Sequence, residues 1–335
     1  MRDTLFKVAG ALLIVVSAVG GWMMLDYRAF RTTPLAVPER GIVISVTPGS
    51  SIKQVSYQLH EQGIVSHPRY FVWHARWRGL AEKIKAGEYL IEPRTTVDAL
   101  LEQLVSGQVL QHGLTVVEGW TFAQLRRALQ LHDKITVTLN DVPNDEMLEI
   151  LGFDPGPAEG WFLPDTYHFP SGTTDKEFYR RAHVAMKAFL QQEWEKREAN
   201  LPLKTAYEAL ILASIVERET AVPAERRLIA GVFVNRLRKN MRLQTDPTVI
   251  YGLGEEYDGN IRRRDLSRDT PYNTYTRGGL PPTPIALPSR EAISAVLHPD
   301  HRGYLYFVAR GDGSHYFSAS LEEHNDAVRK YQLGK

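Results

Sequence analysis

The chain has 335 residues, and 40 Lys and Arg against 39 Asp and Glu leave a net charge of +1, so nothing drives it electrostatically toward nucleic acid. It contains no cysteine, which excludes disulfides, thiolate catalysis and Cys-bearing zinc sites. About 300 residues lie beyond the apolar N-terminal run, enough for two ordinary domains.

Residues 1–4 read as a short cytoplasmic lead, and residues 5–25 as a transmembrane helix, because Val8 to Leu25 carries no charge and is long enough to cross a bilayer core. Ala18-Val19-Gly20 offers a small-residue cleavage site, but the apolar run continues past it through Trp22, Met23, Met24 and Leu25, which favours an uncleaved anchor. Basic residues flank both ends (Arg2 and Lys7, then Arg28 and Arg31), so the charge bias gives little orientation. Residues 26–40, with Pro34 and Pro38, read as a semi-extended linker.

An internal repeat follows. Ile44 to Leu59 aligns without gaps on Leu114 to Leu129, matching Val46 with Val116, Gly49 with Gly119, Gln54 with Gln124 and Leu59 with Leu129. A third copy, Tyr89 to Leu104, keeps the apolar positions but lacks the glycine. Each copy predicts a strand, a tight turn, an N-cap at Ser51, Thr96 or Thr121, and a short amphipathic helix. One such unit is too small to bury its own face, so strands from different copies are expected to pair under the helices. Residues 41–107 form one α+β module in this reading, and residues 108–158 a second repeat-like module and connector. The strand-Gly-Ser-helix pattern is similar to LysM modules, which bind N-acetylglucosamine-containing glycans; a spacer that holds the next domain off the membrane is the competing reading.

A short helix is expected at Asp145 to Leu151, and the loop Asp154-Pro155-Gly156-Pro157 marks a domain boundary. The run Glu159 to Pro170 carries Trp161, Phe162, Tyr167, His168 and Phe169, suited to stacking on sugar faces and equally to a core strand. Asp175 to Asn200 reads as a long scaffold helix.

The stretch Leu210 to Thr248 holds the candidate chemistry. Ala209 to Val216 has Ser214 as its single polar residue, so this helix should be buried all round. Glu219 continues a stripe of Glu208, Leu212 and Ile215, while Glu217 continues Leu210, Ala213 and Ser214. A carboxyl held against aliphatic side chains at the negative end of a helix loses hydration and has its pKa raised, as a general acid at neutral pH requires. A solvated helix end is the competing reading for Glu217-Arg218-Glu219. A second helix runs from Pro223 to about Lys239 with Asn235 facing inward, where an amide needs partners. Two loops rich in small polar residues and Tyr follow, one with Gln244 and Asp246, the other with Tyr272 and Asn273.

Farther on, Ser289 to Val296 predicts a helix, and His298-Pro-Asp-His301 is a weak metal signal without a third ligand. Tyr304 to Val308 and His315 to Ser318 predict a hairpin and Leu321 to Tyr331 a closing helix; His315, Ser318 and Asn325 are structural by default, with bordering the expected cleft as the alternative.

The runs ILASIVERETAV, VFVNRL, RLQTDPTVIYG and YNTYTRGGLPP closely resemble the endolytic murein transglycosylases of the YceG/MltG type, which cut peptidoglycan glycan strands. The resemblance covers most of the chain from Glu159 onward. It implies that residues 159–335 are a mixed α+β catalytic domain with a buried catalytic helix, that the preceding part is LysM-like, and that Glu159 to Pro170 walls the groove. Matched residue by residue, it implies Glu219 as the acid followed by Thr220, with Gln244 and Tyr272-Asn273 beside it; Glu217, Asn235 and Asp246 are placed in support by their own positions on the helices and in the polar loop. It implies peptidoglycan as substrate and the penicillin-binding synthases as partners; no metal or cofactor is expected because no motif for one appears, and the apolar run reads as a single-pass bacterial inner-membrane anchor, with the catalytic domain put in the periplasm by the substrate.

Cleavage between N-acetylmuramic acid and N-acetylglucosamine needs an acid on the leaving oxygen. A lytic transglycosylase completes the reaction with the sugar's own 6-hydroxyl and needs one carboxyl group. A muramidase uses a second carboxylate, for which Glu217, Glu225 and Asp246 stand as candidates, or an activated water; a non-catalytic glycan-binding scaffold is the third reading. No phosphate-binding glycine loop or nucleophile elbow appears.

Overall fold

The structure is a computed structural model describing residues 2–334, with side chains from residue 6 onward. Its apolar N-terminal run forms one helix, α1 (Arg2–Thr32), whose span Phe6–Thr32 is long and apolar enough to cross a membrane. Of the expected lead, residues 2–4 are already helical, and residue 1 lies outside the described residues. The helix also runs past Leu25 to Thr32, so residues 26–32 are not linker. Two causes are visible: no Pro or Gly lies between Leu25 and Pro34, and Tyr27, Phe30 and Arg31 all find partners on the first module.

The chain divides into two units. The first takes in residues up to His112 together with His168–Gly172; the second is Gly113–Tyr167 and the chain from Thr173 onward. In the first, β1 (Ile42–Val46) leads to α2 (Ile52–Glu61), then α3 (Pro68–Trp77), β2 (Gly87–Ile91) and α4 (Val97–Ser106). β1 and β2 pair antiparallel, with Ile42 opposite Ile91 and Val46 opposite Gly87, as expected for strands of two repeat copies. The predicted caps form: Ser51 and Gln54 make a reciprocal capping box, and Thr96 accepts from Ala99 N at 3.3 Å. Ile44, Val46, Val55, Leu59, Phe71, Tyr89, Ile91, Leu100 and Leu104 fill the core. α3 stands outside the repeat pattern and joins that core through Phe71 and Ala75.

The second unit opens with the last repeat copy. β3 (Gln111–Thr115) pairs with β5 (Thr166–Pro170) rather than with β1 or β2, and Thr115 and Thr166 bond through their hydroxyls at 2.9 Å. α5 (Phe122–Leu131) has the expected Thr121–Gln124 capping box, but Phe122 stacks on Phe162 and packs against Tyr179. The division therefore falls at His112, not at the loop before Glu159, because the apolar face of α5 is buried by the C-terminal unit itself. Phe162, Leu163 and Phe169 are fully buried, so the aromatic run is mainly core; Glu159 at its start lines one cavity and Pro164–Thr166 another.

β4 (Ile135–Thr136) pairs parallel with β6 (Thr173–Thr174), and α6 (Met147–Ile150) is a single turn. The helical layer follows: α7 (Asp175–Glu195), α8 (Ala206–Glu219), α9 (Arg226–Arg238), α10 (Asp246–Leu253), α11 (Arg263–Ser267) and α12 (Arg290–Leu297). α7 ends at Glu195, short of the expected Asn200. The hairpin β7 (Tyr306–Ala309) and β8 (His315–Ser318) and the closing helix α13 (Leu321–Gln332) form as predicted. α7, α9, α10 and α12 all pack on α8, which makes it the hub of this mixed α+β unit.

Candidate active site

α8 starts at Thr205, whose hydroxyl accepts from Glu208 N at 3.2 Å, and buries every residue from Ala209 to Val216. Ser214 donates to Ile211 O at 2.7 Å and accepts from Ile285 N at 2.9 Å, so the one polar side chain in that run ties down the loop before α12. A helix gripped all round is a rigid platform, and its last turn delivers two acids to the surface of the core.

Those acids point about 200° apart, at 100° per residue, and meet different groups. Glu217 accepts from Ser289 N at 2.9 Å and from the Ser289 hydroxyl, and lies 3.5 Å from the Arg226 guanidinium. It staples α8 to the start of α12. Glu219 Oε1 accepts one hydrogen bond, from the Thr245 hydroxyl. Burial pushes its carboxyl up to about 7, opposed by the Thr245 bond, reinforced by the Asp246 charge, and opposed again by His315 and Arg236.

Two clefts meet at Glu219. One, of about 800 Å³, is walled by Val117–Gly119, Asp165, Arg226 and Arg290; the other, of about 540 Å³, by Arg236, Gln244, Asp246, Tyr275, His315 and Asn325. Glu219 thus borders both clefts. Thr245 is itself held: its N–H donates to Thr274 Oγ1 at 3.1 Å, and its carbonyl accepts from Thr248 Oγ1 at 2.8 Å. Arg236 is pinned by the carbonyls of Leu305 (2.7 Å) and Leu243 (2.8 Å), and Tyr275 donates to Asp246 at 2.6 Å.

A second buried acid, Glu159, has its carboxyl raised to about 7 by burial, against hydrogen bonds from Phe122 N and the Tyr251 hydroxyl. Those bonds, 2.9 Å and 3.1 Å long, occupy both of its oxygens. It holds the start of α5 against α10 and is already committed, whereas one oxygen of Glu219 has no protein partner among the described residues.

The profile of the YceG-like family matches residues 44–330. The chain belongs to the YceG-like family. It is 33% identical over 317 residues to the endolytic murein transglycosylase of Bacillus subtilis, covering 87% of this chain and 85% of that protein. It is 26% identical to the endolytic murein transglycosylase of Streptococcus pneumoniae, over 98% of this chain and 66% of that protein. A crystal structure of a YceG-like protein from Listeria monocytogenes superposes with a TM-score of 0.52 at 29% identity, covering 86% of this chain and 99% of that one.

In this YceG-like chain five of the expected site residues border the two clefts and three, Asn235, Tyr272 and Asn273, do not. Glu219, Gln244 and Asp246 border one cleft, and Glu217, Glu219 and Thr220 border the other. Thr220 caps α8, accepting from Val222 N at 3.0 Å. Asn235 finds its partner in Tyr304 O at 3.1 Å and so anchors the entry to β7. Asn273 is buried and donates to the carbonyls of Asp265, Leu266 and Arg268, which makes it the clamp of the loop after α11. Tyr272 bonds Thr283 at 2.9 Å and packs edge-on against Tyr251 in a neighbouring cavity of about 690 Å³. His298 and His301 do not converge: His301 pairs with Glu198 at 2.7 Å, and among the described residues no cluster of three His, Cys, Asp or Glu could hold a metal.

Sequence reasoning missed Thr245, Thr274, Arg236 and Tyr275. All but Arg236 lie inside the two polar loops singled out from the sequence. Arg236 sits one residue from Asn235, and only the helix phase, fixed by packing, decides which of them turns toward Glu219.

Proposed function

We propose that this YceG-like protein is a membrane-anchored lytic transglycosylase that cuts peptidoglycan glycan strands internally at the bond between N-acetylmuramic acid and N-acetylglucosamine. The single observation that carries the reading is the state of Glu219: one buried carboxyl, balanced near neutrality, at the junction of two clefts.

The chemistry needs a group that gives a proton and then takes one back. Protonated Glu219 donates to the glycosidic oxygen as the C1–O bond breaks, and positive charge develops on the muramic acid ring. The ionised carboxylate, favoured by Thr245 and Arg236, then removes the proton of the 6-hydroxyl as O6 bonds to C1. The products are a 1,6-anhydromuramic end and a free 4-hydroxyl on the leaving N-acetylglucosamine; no water is consumed. Burial and Asp246 favour the acid form and Thr245, His315 and Arg236 the charged form, so the carboxyl is held between its two protonation states, as a group that gives a proton and takes one back requires.

A muramidase is the second reading, favoured by one observation: Asp246 lies close enough to Glu219 to raise its pKa and could activate a water. Asp246 itself accepts from Tyr275 through one oxygen, whereas Glu217 is held by the Ser289 N–H and hydroxyl and Glu225 has both oxygens bonded by the His315 backbone and ring. The anchor reading places α1 in the bacterial inner membrane and the second unit in the periplasm; residues 41–107 then act as a LysM-like positioning module, and the synthases that polymerise new strands are the expected neighbours.

Mass analysis of glycan ends released from purified murein tests the proposal. Ends lighter by one water than hydrolysis products are expected; reducing muramic acid ends alone would replace it with the muramidase.

A further inference from the structure

α3 buries Phe71, His74 and Ala75 and turns Arg69, Trp73, Arg76 and Trp77 to the outside. These four fall at i, i+4, i+7 and i+8, a single helix face. Trp73 is 54% exposed and Trp77 68%, and the two rings stack 6.2 Å apart within 7° of parallel. A stacked tryptophan pair left in the open costs hydrophobic free energy unless something covers it.

The anchor helix identifies the cover. Tyr27 of α1 meets Trp73 edge-on at 5.0 Å, and Phe30 meets Tyr70 at 5.7 Å. The Tyr27 hydroxyl bonds His74 Nδ1 at 2.5 Å, His74 Nε2 bonds Asp98 at 2.5 Å, and Asp98 receives Arg31 at 2.7 Å. His74 is completely buried, so this chain of polar contacts fixes α1 to α3 and α4 without a flexible joint. Tyr27 comes two residues, about 3 Å of helix rise, after the last residue of the uncharged run, Leu25. If α1 spans a bilayer, the tryptophan pair stands at the level where acyl chains give way to headgroups.

We propose that α3 is a membrane-surface contact, with Trp73 and Trp77 set into the headgroup region of the bilayer that α1 crosses. Tryptophan and tyrosine prefer that boundary, and Arg69 and Arg76 on the same face can lay their stems along it while their guanidinium groups reach phosphate. The contact holds the first module against the membrane. The proposal rests on α1 as a spanning helix and not on the activity.

The absence of native cysteine makes the test direct. Full-length protein carrying a single nitroxide through R76C, V15C or K53C is placed in phospholipid nanodiscs, and collision with oxygen is compared with collision with a water-soluble nickel chelate. Val15 reports insertion of α1, and Lys53 is an exposed position on α2. The label at 76 should favour oxygen several-fold over the label at 53 and should lose that preference in the W73S/W77S background, which leaves the buried face of α3 intact. A label at 76 that reads as water-exposed as the one at 53, or that shows short-range coupling to a second copy, overturns the proposal. A water-exposed label at 15 removes the anchor and the proposal with it.

Discussion

The Thr245 hydroxyl donates to Glu219 Oε1, while the Thr245 backbone is clamped between Thr248 and Thr274. This small hydroxyl cluster fixes the orientation of the carboxyl and lowers its pKa against the upward push of burial. Removing the donor in T245V should move the alkaline limb of the pH–activity profile upward and reduce turnover by ~10- to 100-fold through lost orientation. The profile from pH 5 to 9, measured beside wild type, checks this. An unmoved limb would remove Thr245 from the mechanism.

The raised pKa of Glu219 has an opposite sign for stability than a salt-bridged acid would. The folded state keeps its proton up to about 7, above the ordinary glutamate value, so unfolding releases a proton between those limits and stability falls as pH rises through that window. Gln at 219 carries no such charge. The E219Q protein should therefore melt a few degrees above wild type at pH 8, and the gap should narrow at pH 5. Calorimetry at the two pH values gives the answer.

Glu159 shares the raised pKa but has both oxygens occupied by Phe122 N and Tyr251. In E159Q the alkaline limb near pH 7 should persist and turnover should stay within about tenfold of wild type, against the ~10²–10⁴-fold loss expected of an acid/base residue. Loss of the limb in E159Q, with E219Q retaining it, would exchange the two roles.

Asn273 donates to three backbone carbonyls and accepts from Tyr275 N at 2.9 Å, so it shapes the loop that carries Thr274 and Tyr275. N273D would set a carboxylate against those carbonyls and leave them without donors, a cost of about 2–3 kcal/mol. Faster amide hydrogen exchange across residues 265–277, with KM raised more than kcat lowered, is the expected signature.

Much of this fold was legible in sequence because the local signals agreed with one another. Ser51, Thr96 and Thr121 each cap the helix they precede, and the hairpin at Tyr306 to Ser318 follows from strand alternation around a glycine turn. Strand pairing was not legible: β3 leads into a repeat copy as β1 does, yet its partner is β5, and the helix after it packs Phe122 on Phe162. At the site, periodicity separated Glu219 from Glu217, because both belong to one helix whose phase is fixed by its apolar residues. The groups around them come from loops, where no period exists. Asn235 and Asn273 accordingly serve backbone carbonyls, and the neighbours of Glu219 are Thr245, Tyr275 and Arg236.

The central claim is that Glu219 alone transfers the proton both ways and that the attacking group is the substrate's own hydroxyl. Digestion of purified murein in ¹⁸O-enriched water, with wild-type and E219Q proteins in parallel, tests it most directly. Wild type should release anhydro ends free of ¹⁸O, and E219Q should release fewer ends by at least ~10²-fold while still sedimenting with the murein. Reducing ends that carry one ¹⁸O, or a normal yield from E219Q, would contradict the account.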